Sequence, residues 1–410
     1  MRIIVYEHIS SGGLAGQSIP PSVLSEGFAM LRTVVSDFKS GGHEVTVLLD
    51  DRLSRLNPPI NADYIVPIFY EQEPKRFLVN TAKINDALYI IAPETEETLQ
   101  SLVELVEHTG KVSLNCESRA IQKVADKTLL HNVLKKNGLS TPKTLVLNVN
   151  DSLTNVKRTL SIKLSYPLVF KPVTSVSCGG LSIVNEHSQV EKAIAKIKAE
   201  TTEGQFIVQE FIGSEAVSVS LLCAKNKAFG ISLNKQTVKV GGPAGVSRYE
   251  GGAVPFDHAL KQEAFAVAEK VVEFFPGLRG SVGIDLVLAN DKAFVVDVNP
   301  RLTTSYVGLS RVANFNVAQA LINAILKDQL PSVFENNGYV CFSKLETPKP
   351  SINAFQKAAR IDEVVSPPFP LEDQPKSYAL IASQGDSLKN AKLRLEEAKK
   401  RVLNIMSRGK

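Results

Sequence analysis

The sequence predicts an α/β protein that opens with a parallel sheet, continues in α+β segments and closes with a small strand–helix piece. Three observations predict this class. Over residues 1–115 short apolar strands alternate with helical stripes, the pattern of an open parallel sheet with crossover helices. Over residues 283–301 two runs rich in Val, Leu, Ile and Phe flank Asn290-Asp291, which is hairpin chemistry. From Thr347 onward the composition turns Pro-rich before a strand at Tyr378–Ser383 and a last helical stripe.

The first segment justifies its elements one by one. Ile3–Tyr6 is a short buried strand. Leu24, Phe28, Leu31, Val34, Val35 and Phe38 recur at helical spacing, and Gly41-Gly42 stops that helix. Val45–Leu49, Tyr64–Ile68 and Leu88–Ala92 are further strands. Leu99, Leu102, Val103 and Val106 form another helical stripe before the strand Val112–Leu114. The loop His8–Gly16 follows the first strand at its carboxyl end, where such sheets bind ligands. Its glycines lack the GxGxxG spacing, which counts against a dinucleotide loop and favours a substrate loop or a plain turn.

Ser118–Asn137 reads as one helix containing Asp126-Lys127, ended by Gly138 and Pro142. Tyr166–Lys171 is a strand that runs into the small-residue loop Val173–Gly180, followed by the strand Leu181–Val184. Backbone N–H groups and one lysine suit a polyphosphate, and a surface hairpin is the competing reading. Gln205–Ile212 and Val217–Ala224 are strands around Gly213-Ser-Glu215. Here the chain can offer backbone groups of Glu210, Phe211 and Ile212 to an adenine edge, and Glu215 to ribose hydroxyls; a solvated turn acid is the competing reading. Asn234-Lys235-Gln236 ends the next strand. Gly241–Gly245 and Tyr249–Gly252 are expected to form a mobile Gly-rich section before the helix His258–Phe275. Asn314–Leu326 carries Val317, Ala318, Leu321, Ile322 and Ile325 on a buried face. Leu388, Ala391, Leu395, Ala398 and Val402 give the last helix a packing stripe.

With a loop of Asn290 to Lys292, Ala289 pairs with Ala293 and Asp285 falls opposite Asp297. Asn299, two residues on, shares that face. Opposed carboxylates repel, and a cation between them relieves the repulsion. Hard oxygen ligands with open positions suit Mg²⁺, which completes its shell with water and phosphate. Arg301, after Pro300, supplies a planar cation for phosphate or carboxylate. Solvated acids on an edge hairpin are the alternative.

Taken in order, these features are Asp126-Lys127, Gly138…Thr141-Pro142, Val169-Phe-Lys171-Pro172, a glycine-containing loop, Val208–Glu215, Gly283-Ile-Asp285 and Asp297-Val-Asn-Pro-Arg301. That order resembles the ATP-grasp superfamily, which includes D-alanine–D-alanine ligase and biotin carboxylase. Tyr6–Gly13 and Asp297–Ser305 are similar to the branch that contains tyramine–L-glutamate ligase. The resemblance implies two α+β subdomains clamping ATP, with boundaries at 1–115 (preceding α/β domain), 116–204 (central subdomain), 205–345 (metal-bearing subdomain) and 346–410 (extension packed on the body). It implies phosphate contacts from Lys127 and Lys171, with Lys235 as a further one. It also implies a phosphate-covering loop from Ser175 to Gly180 including Gly179, an adenine hinge at Glu210, Phe211 and Ile212, and a ribose carboxylate at Glu215. Asp285, Asp297 and Asn299 correspond to ligands of two Mg²⁺ ions, for which Mn²⁺ could substitute. Arg301 and Lys171 correspond to the catalytic cations. Three departures stand out: the hinge lies unusually close to Glu215, Asp297 replaces the commoner Glu, and the 346–410 tail is absent from shorter members.

The implied activity is an ATP-dependent carbon–nitrogen ligase that forms an amide through an acylphosphate, with glutamate as a fitting carboxylate. An ATP-grasp carboxylase or kinase, or a silent nucleotide-binding regulator, are the alternatives. Small-molecule carboxylate and amine substrates follow, and a homodimer is compatible. The 410 residues are 44% hydrophobic and 22% charged, with a formal net charge of +5. This is ordinary globular composition, with no basic run dense enough for nucleic acid. Cys116, Cys178, Cys223 and Cys341 are scattered, which fits reduced thiols and a cytoplasmic setting. No apolar run approaches the roughly 20 residues of a membrane span, and the chain opens on a polar strand rather than a signal peptide.

Overall fold

The computed structural model describes all residues except 71, 175–177, 202–203, 214, 226 and 409–410. Its first sheet is built from β1 (Arg2–Glu7), β2 (Glu44–Asp50), β3 (Tyr64–Ile68), β4 (Ala87–Ile91) and β5 (Val112–Ser113). Their spatial order is β3-β2-β1-β4-β5, and every pair is parallel. Helices α1 (Pro21–Ser40), α2 (Asp51–Ser54), α3 (Pro74–Ala82) and α4 (Thr98–His108) connect them. The order reverses between β1 and β4, so the carboxyl ends of those two strands flank the crevice where open α/β sheets take ligands. Glu7 and the Ala92–Glu94 turn stand there.

The expected single helix over 118–137 is two helices, α5 (Ser118–Ala125) and α6 (Lys127–Lys136). The break is at Asp126, whose ψ of 100° is extended and whose carboxylate accepts the N–H groups of Thr128 and Leu129 at 2.8 and 3.0 Å. Aspartate satisfies orphan donors at a helix start better than it serves a helix interior. The cap also sets Lys127 at the first position of α6.

A four-stranded antiparallel sheet follows. It comprises β6 (Thr144–Asn148), β7 (Leu168–Pro172), β8 (Ser182–Val184) and β9 (Gln205–Glu210), in the order β6-β9-β7-β8. Helices α7 (Leu153–Lys163) and α8 (Val190–Glu200) cover one face, packing Val156, Leu160, Ile194 and Ile197 with Phe170 and Phe206.

The largest sheet has eight antiparallel strands in the order β14-β13-β10-β11-β12-β15-β17-β16. Their ranges are β10 (Glu215–Ala224), β11 (Lys227–Lys239), β12 (Arg248–Val254), β13 (Gly280–Ala289), β14 (Lys292–Asn299), β15 (Tyr339–Pro348), β16 (Val364–Ser366) and β17 (Lys376–Gly385). Helices α9 (Lys261–Glu273), α10 (Tyr306–Val312), α11 (Val317–Lys327), α12 (Ile352–Ala359) and α13 (Leu388–Arg408) surround it. β15 runs through residues 345 and 346 and pairs with β17 from Tyr339↔Gly385 to Pro348↔Lys376. The C-terminal segment therefore continues this sheet, and α13 lays Ala391, Leu395, Ala398 and Val402 on it.

Tyr249–Gly252 is not part of a mobile section. It lies in β12, paired with β11 on one side and β15 on the other. Glycine is there because of close backbone approach rather than freedom. At Gly251 φ is +137°, and a Cβ would lie 2.1 Å from the Phe342 carbonyl oxygen. Gly251→Ala is expected to cost roughly 2–4 kcal/mol through backbone strain and overpacking. Urea unfolding checks this, and an unchanged midpoint would contradict the packing. Among the described residues no helix is long and apolar enough to cross a membrane.

Candidate active site

The hairpin β13–β14 reaches the expected opposition by a different route. Ala289 pairs with Lys292, so the turn is only Asn290-Asp291, with φ of 48° and 57°. Positive φ at both central residues is the hairpin geometry that fits strand twist. This turn alone would place Asp285 opposite Val296. A bulge between Asp285 and Leu286 restores the pair Asp285↔Asp297 and leaves Val296 as the extra residue. The Val296 carbonyl then accepts from Lys171 Nζ at 3.4 Å.

Around this pair, Lys127 Nζ lies 3.0 Å from Asp297 Oδ2. Asp285 accepts from Asn299 Nδ2 at 3.1 Å and from Gln236 Nε2 at 2.9 Å. Burial, then the Asp297 charge, push the Asp285 carboxyl up to about 6, against the Asn299 and Gln236 hydrogen bonds and Arg301. Burial works against the charge of Lys127, but Asp297, Glu94 and Asp285 outweigh it and hold this lysine above its ordinary range. Lys171 goes the other way: burial and the Lys127 charge bring it down to about 8 despite Asp297 and Asp285.

Among the described residues no group of three His, Cys, Asp or Glu side chains could hold a metal. A cation at Asp285 and Asp297 would therefore need the Asn299 amide oxygen, with water or phosphate for the rest. This all-oxygen set fits Mg²⁺. A divalent ion would also relieve the buried repulsion that raises Asp285.

The pair opens onto a cavity of about 760 Å³. One end is lined by Lys127, Lys171, Val169, Glu210, Phe211, Ile212, Leu286 and Val298. Two of the hinge N–H groups hold the hinge itself. The Glu210 N–H goes to the Lys143 carbonyl at 3.0 Å and the Phe211 N–H to the Pro167 carbonyl at 3.1 Å. The Glu210 carboxylate accepts the Lys143 N–H at 2.9 Å. Thr174, Cys178 and Leu181 of the following loop line the cavity, whereas Ser175 lies outside the described residues. Gly179 and Gly180 pack against Glu200 and Pro172. Glu215 and Lys235 stand just off the lining and pair with each other at 3.2 Å, with His258 3.6 Å from Glu215.

Arg301 does not wait free beside this end. Its Nη2 donates to Glu94 Oε2 at 3.0 Å, its Nε lies 2.9 Å from Glu94 Oε1, and its Nη1 donates to the Leu302 carbonyl at 3.2 Å. Glu94 follows β4 at the switch point. Sequence reasoning passed over it, although its place after a sheet strand was a usable signal. Sequence reasoning also missed Gln236, Glu7 and the buried pair Glu26–Lys344. In that pair Lys344 Nζ lies 2.6 Å from Glu26 Oε1, and Thr304 Oγ1 donates to Glu26 Oε2 at 3.0 Å. Glu7, Ile9, Glu26, Glu94 and Arg301 line the second end of the cavity.

Residues 124–305 match the model of the ATP-grasp domain, and residues 43–121 match that of the pre-ATP-grasp 3 domain. A tyramine–L-glutamate ligase of Methanocaldococcus jannaschii is 28% identical over 330 residues, which cover 80% of this chain and 90% of the relative. Biotin carboxylase of Campylobacter jejuni has the same fold, with a TM-score of 0.73 at 14% identity over 99% of this chain and 95% of that one. An L-amino acid ligase of Bacillus licheniformis superposes with a TM-score of 0.63 at 14% identity, covering 97% of both chains.

Proposed function

We propose that this chain, an ATP-grasp protein, is an ATP-dependent carboxylate–amine ligase that activates L-glutamate. The observation that carries the reading is one cavity in which two buried lysines, Lys127 and Lys171, converge on the opposed Asp285 and Asp297. The named activity of the Methanocaldococcus relative supports glutamate as the carboxylate.

In this reading Lys127 and Lys171 hold the ATP phosphates, and the loop from Ser175 through Gly179 and Gly180 covers them. Backbone groups of Glu210, Phe211 and Ile212 face adenine, and Glu215, one residue from Ala216 of the lining, faces ribose. Lys235 keeps Glu215 in place. Asp285, Asp297 and Asn299 would hold Mg²⁺ or Mn²⁺, as two ions, which when bound neutralise the phosphates. A glutamate carboxylate oxygen attacks the γ-phosphorus, the bond to the β-phosphate oxygen breaks, and ADP leaves. The amine nitrogen then attacks the acylphosphate carbonyl carbon. The carbon–oxygen bond breaks, phosphate leaves, and the nitrogen sheds its excess protons to solvent. Arg301, held by Glu94, would neutralise the acylphosphate.

This chemistry uses no protein nucleophile. Burial pushes the Cys178 thiol up to about 11, so the cavity's cysteine is a poor nucleophile at neutral pH. Catalysis is then positioning and charge neutralisation. The test is ADP release across a panel of amino acids and amines. Amine-dependent turnover is expected to be highest with glutamate. ATP binding without hydrolysis under every substrate pair would sink the enzyme reading.

A further inference from the structure

Strand β12 lies between β11 and β15, and each neighbour holds one of the cavity's carboxylates. Gln236 of β11 donates to Asp285 at the phosphate end, and Lys344 of β15 pairs with Glu26 at the second end. β11 turns Gln236, Val238 and Val240 to the cavity, every second residue, as one face of a strand should. On β12 the alternation is broken. Gly252 pairs with Gln236 and Gly251 with Thr237, but Val238 pairs with Tyr249, so Glu250 is the extra residue of a bulge. Gly251, whose φ is +137°, stands beside it. Without the bulge, Glu250 would oppose Val238 and face the cavity. With it, Tyr249 takes that place and lines the wall. Re-aiming one side chain is what bulges next to active sites do.

The Tyr249 ring is steadied by Phe342, with centroids 6.5 Å apart and planes tilted by 49°. Among the described residues its hydroxyl has no hydrogen-bond partner. Burial, then the charges of Glu26, Asp285 and Cys178, hold the phenol well above the ordinary tyrosine range. At neutral pH it is therefore a hydrogen-bond donor and not a base. We propose that Tyr249 is a catalytic residue of the acyl-transfer step, donating its O–H to the acyl oxygen of the acylphosphate between the two ends of the cavity. As the amine lone pair forms the C–N bond, the C=O π pair moves onto that oxygen, and the hydrogen bond strengthens as charge collects there. The pair returns as the carbon–oxygen bond to phosphate breaks. The amine sheds its excess protons to solvent, and Tyr249 keeps its own. An interaction that strengthens at this step lowers its barrier. The inference rests on the ligase reading above.

The test compares the full-length wild type with Tyr249→Phe in single turnovers with L-glutamate, MgATP and hydroxylamine as the amine, reading ADP and hydroxamate separately. Phenylalanine keeps the ring on Phe342 and removes only the hydroxyl. ADP formation is expected to keep its wild-type rate, because the first step collects no charge on the acyl oxygen. Hydroxamate formation is expected to slow by about 10²–10³, the loss of one oxyanion donor, with KM for ATP unchanged. An unchanged hydroxamate rate, or equal slowing of both steps, overturns the assignment and leaves the ligase reading standing. If the wild type itself forms no hydroxamate, the ligase reading falls and this inference with it. If Tyr249→Phe does not fold, Tyr249→difluorotyrosine keeps the shape and makes the phenol more acidic. Its hydroxamate rate is then expected to fall at a lower pH than that of the wild type, as the donor ionises. A pH profile that does not move overturns the proposal.

Discussion

Asp297→Asn is expected to lower ATP turnover by about 10²–10³, the usual loss when one charged group is removed from such a site. Asparagine keeps the volume and one acceptor oxygen. It removes the charge that would share a cation with Asp285 across the bulged pair and that faces Lys127 at 3.0 Å. The two losses have separate signatures. A missing metal ligand raises the magnesium concentration needed for half-maximal turnover. A misplaced Lys127 raises KM for ATP. Asp297→Ala is the harsher change, because it strands Lys127, whose side chain is only 9% exposed. Leaving a buried charge unpaired adds a stability loss of roughly 3 kcal/mol, readable by urea unfolding. Steady-state kinetics with a magnesium titration decide the matter, and near-wild-type turnover in Asp297→Asn would remove this aspartate from the site.

Much of this end of the cavity was legible in the sequence because its residues sit at strand and helix ends with recognisable neighbours. Lys171 follows an apolar run, and Asp285 and Asp297 lie in the two apolar runs that flank the Asn290-Asp291 turn. The opposition was correct even though the expected loop was one residue too long. Register depends on turn and bulge together, and a bulge leaves no mark in the pattern of apolar residues. Asp126 shows the same limit. Its neighbours have helical spacing, and only the cap geometry reveals that a new helix starts at Lys127. The Gly251-Gly252 pair was misread because glycine marks both freedom and close approach, and only the neighbouring strand tells them apart. The second end was illegible for another reason. Glu7, Glu26, Glu94 and Lys344 are far apart in sequence and meet only because β1, α1, β4 and β15 converge on one crevice. No spacing rule connects them.

The Glu94–Arg301 pair is where that convergence should be measurable as a coupling energy. Glu94 follows β4 of the parallel sheet and Arg301 follows β14, so their ion pair joins the parallel sheet to the eight-stranded sheet. Both side chains are nearly enclosed, at 11% and 14% exposure. Burial works against the charge of Arg301, and the Glu94 carboxylate outweighs it, holding the guanidinium above its ordinary range. Glu94→Gln therefore leaves a buried cation without its counter-charge, and Arg301→Met leaves a buried carboxylate. Each single change is expected to cost about 3–5 kcal/mol. The double variant removes both charges and should fall short of the sum by roughly 1–3 kcal/mol. Denaturant unfolding of the four proteins measures the cycle, and strict additivity would mean that the contact does not hold the two sheets together. Turnover separates structure from chemistry. Glu94→Gln keeps the guanidinium, so its rate loss reports the cost of mis-aiming it. Arg301→Met removes the cation, and its loss should be the larger, on the order of 10²–10³. If the two variants lose equal rate, Arg301 acts through its anchor alone, and Lys171 is left as the cation for the proposed acylphosphate.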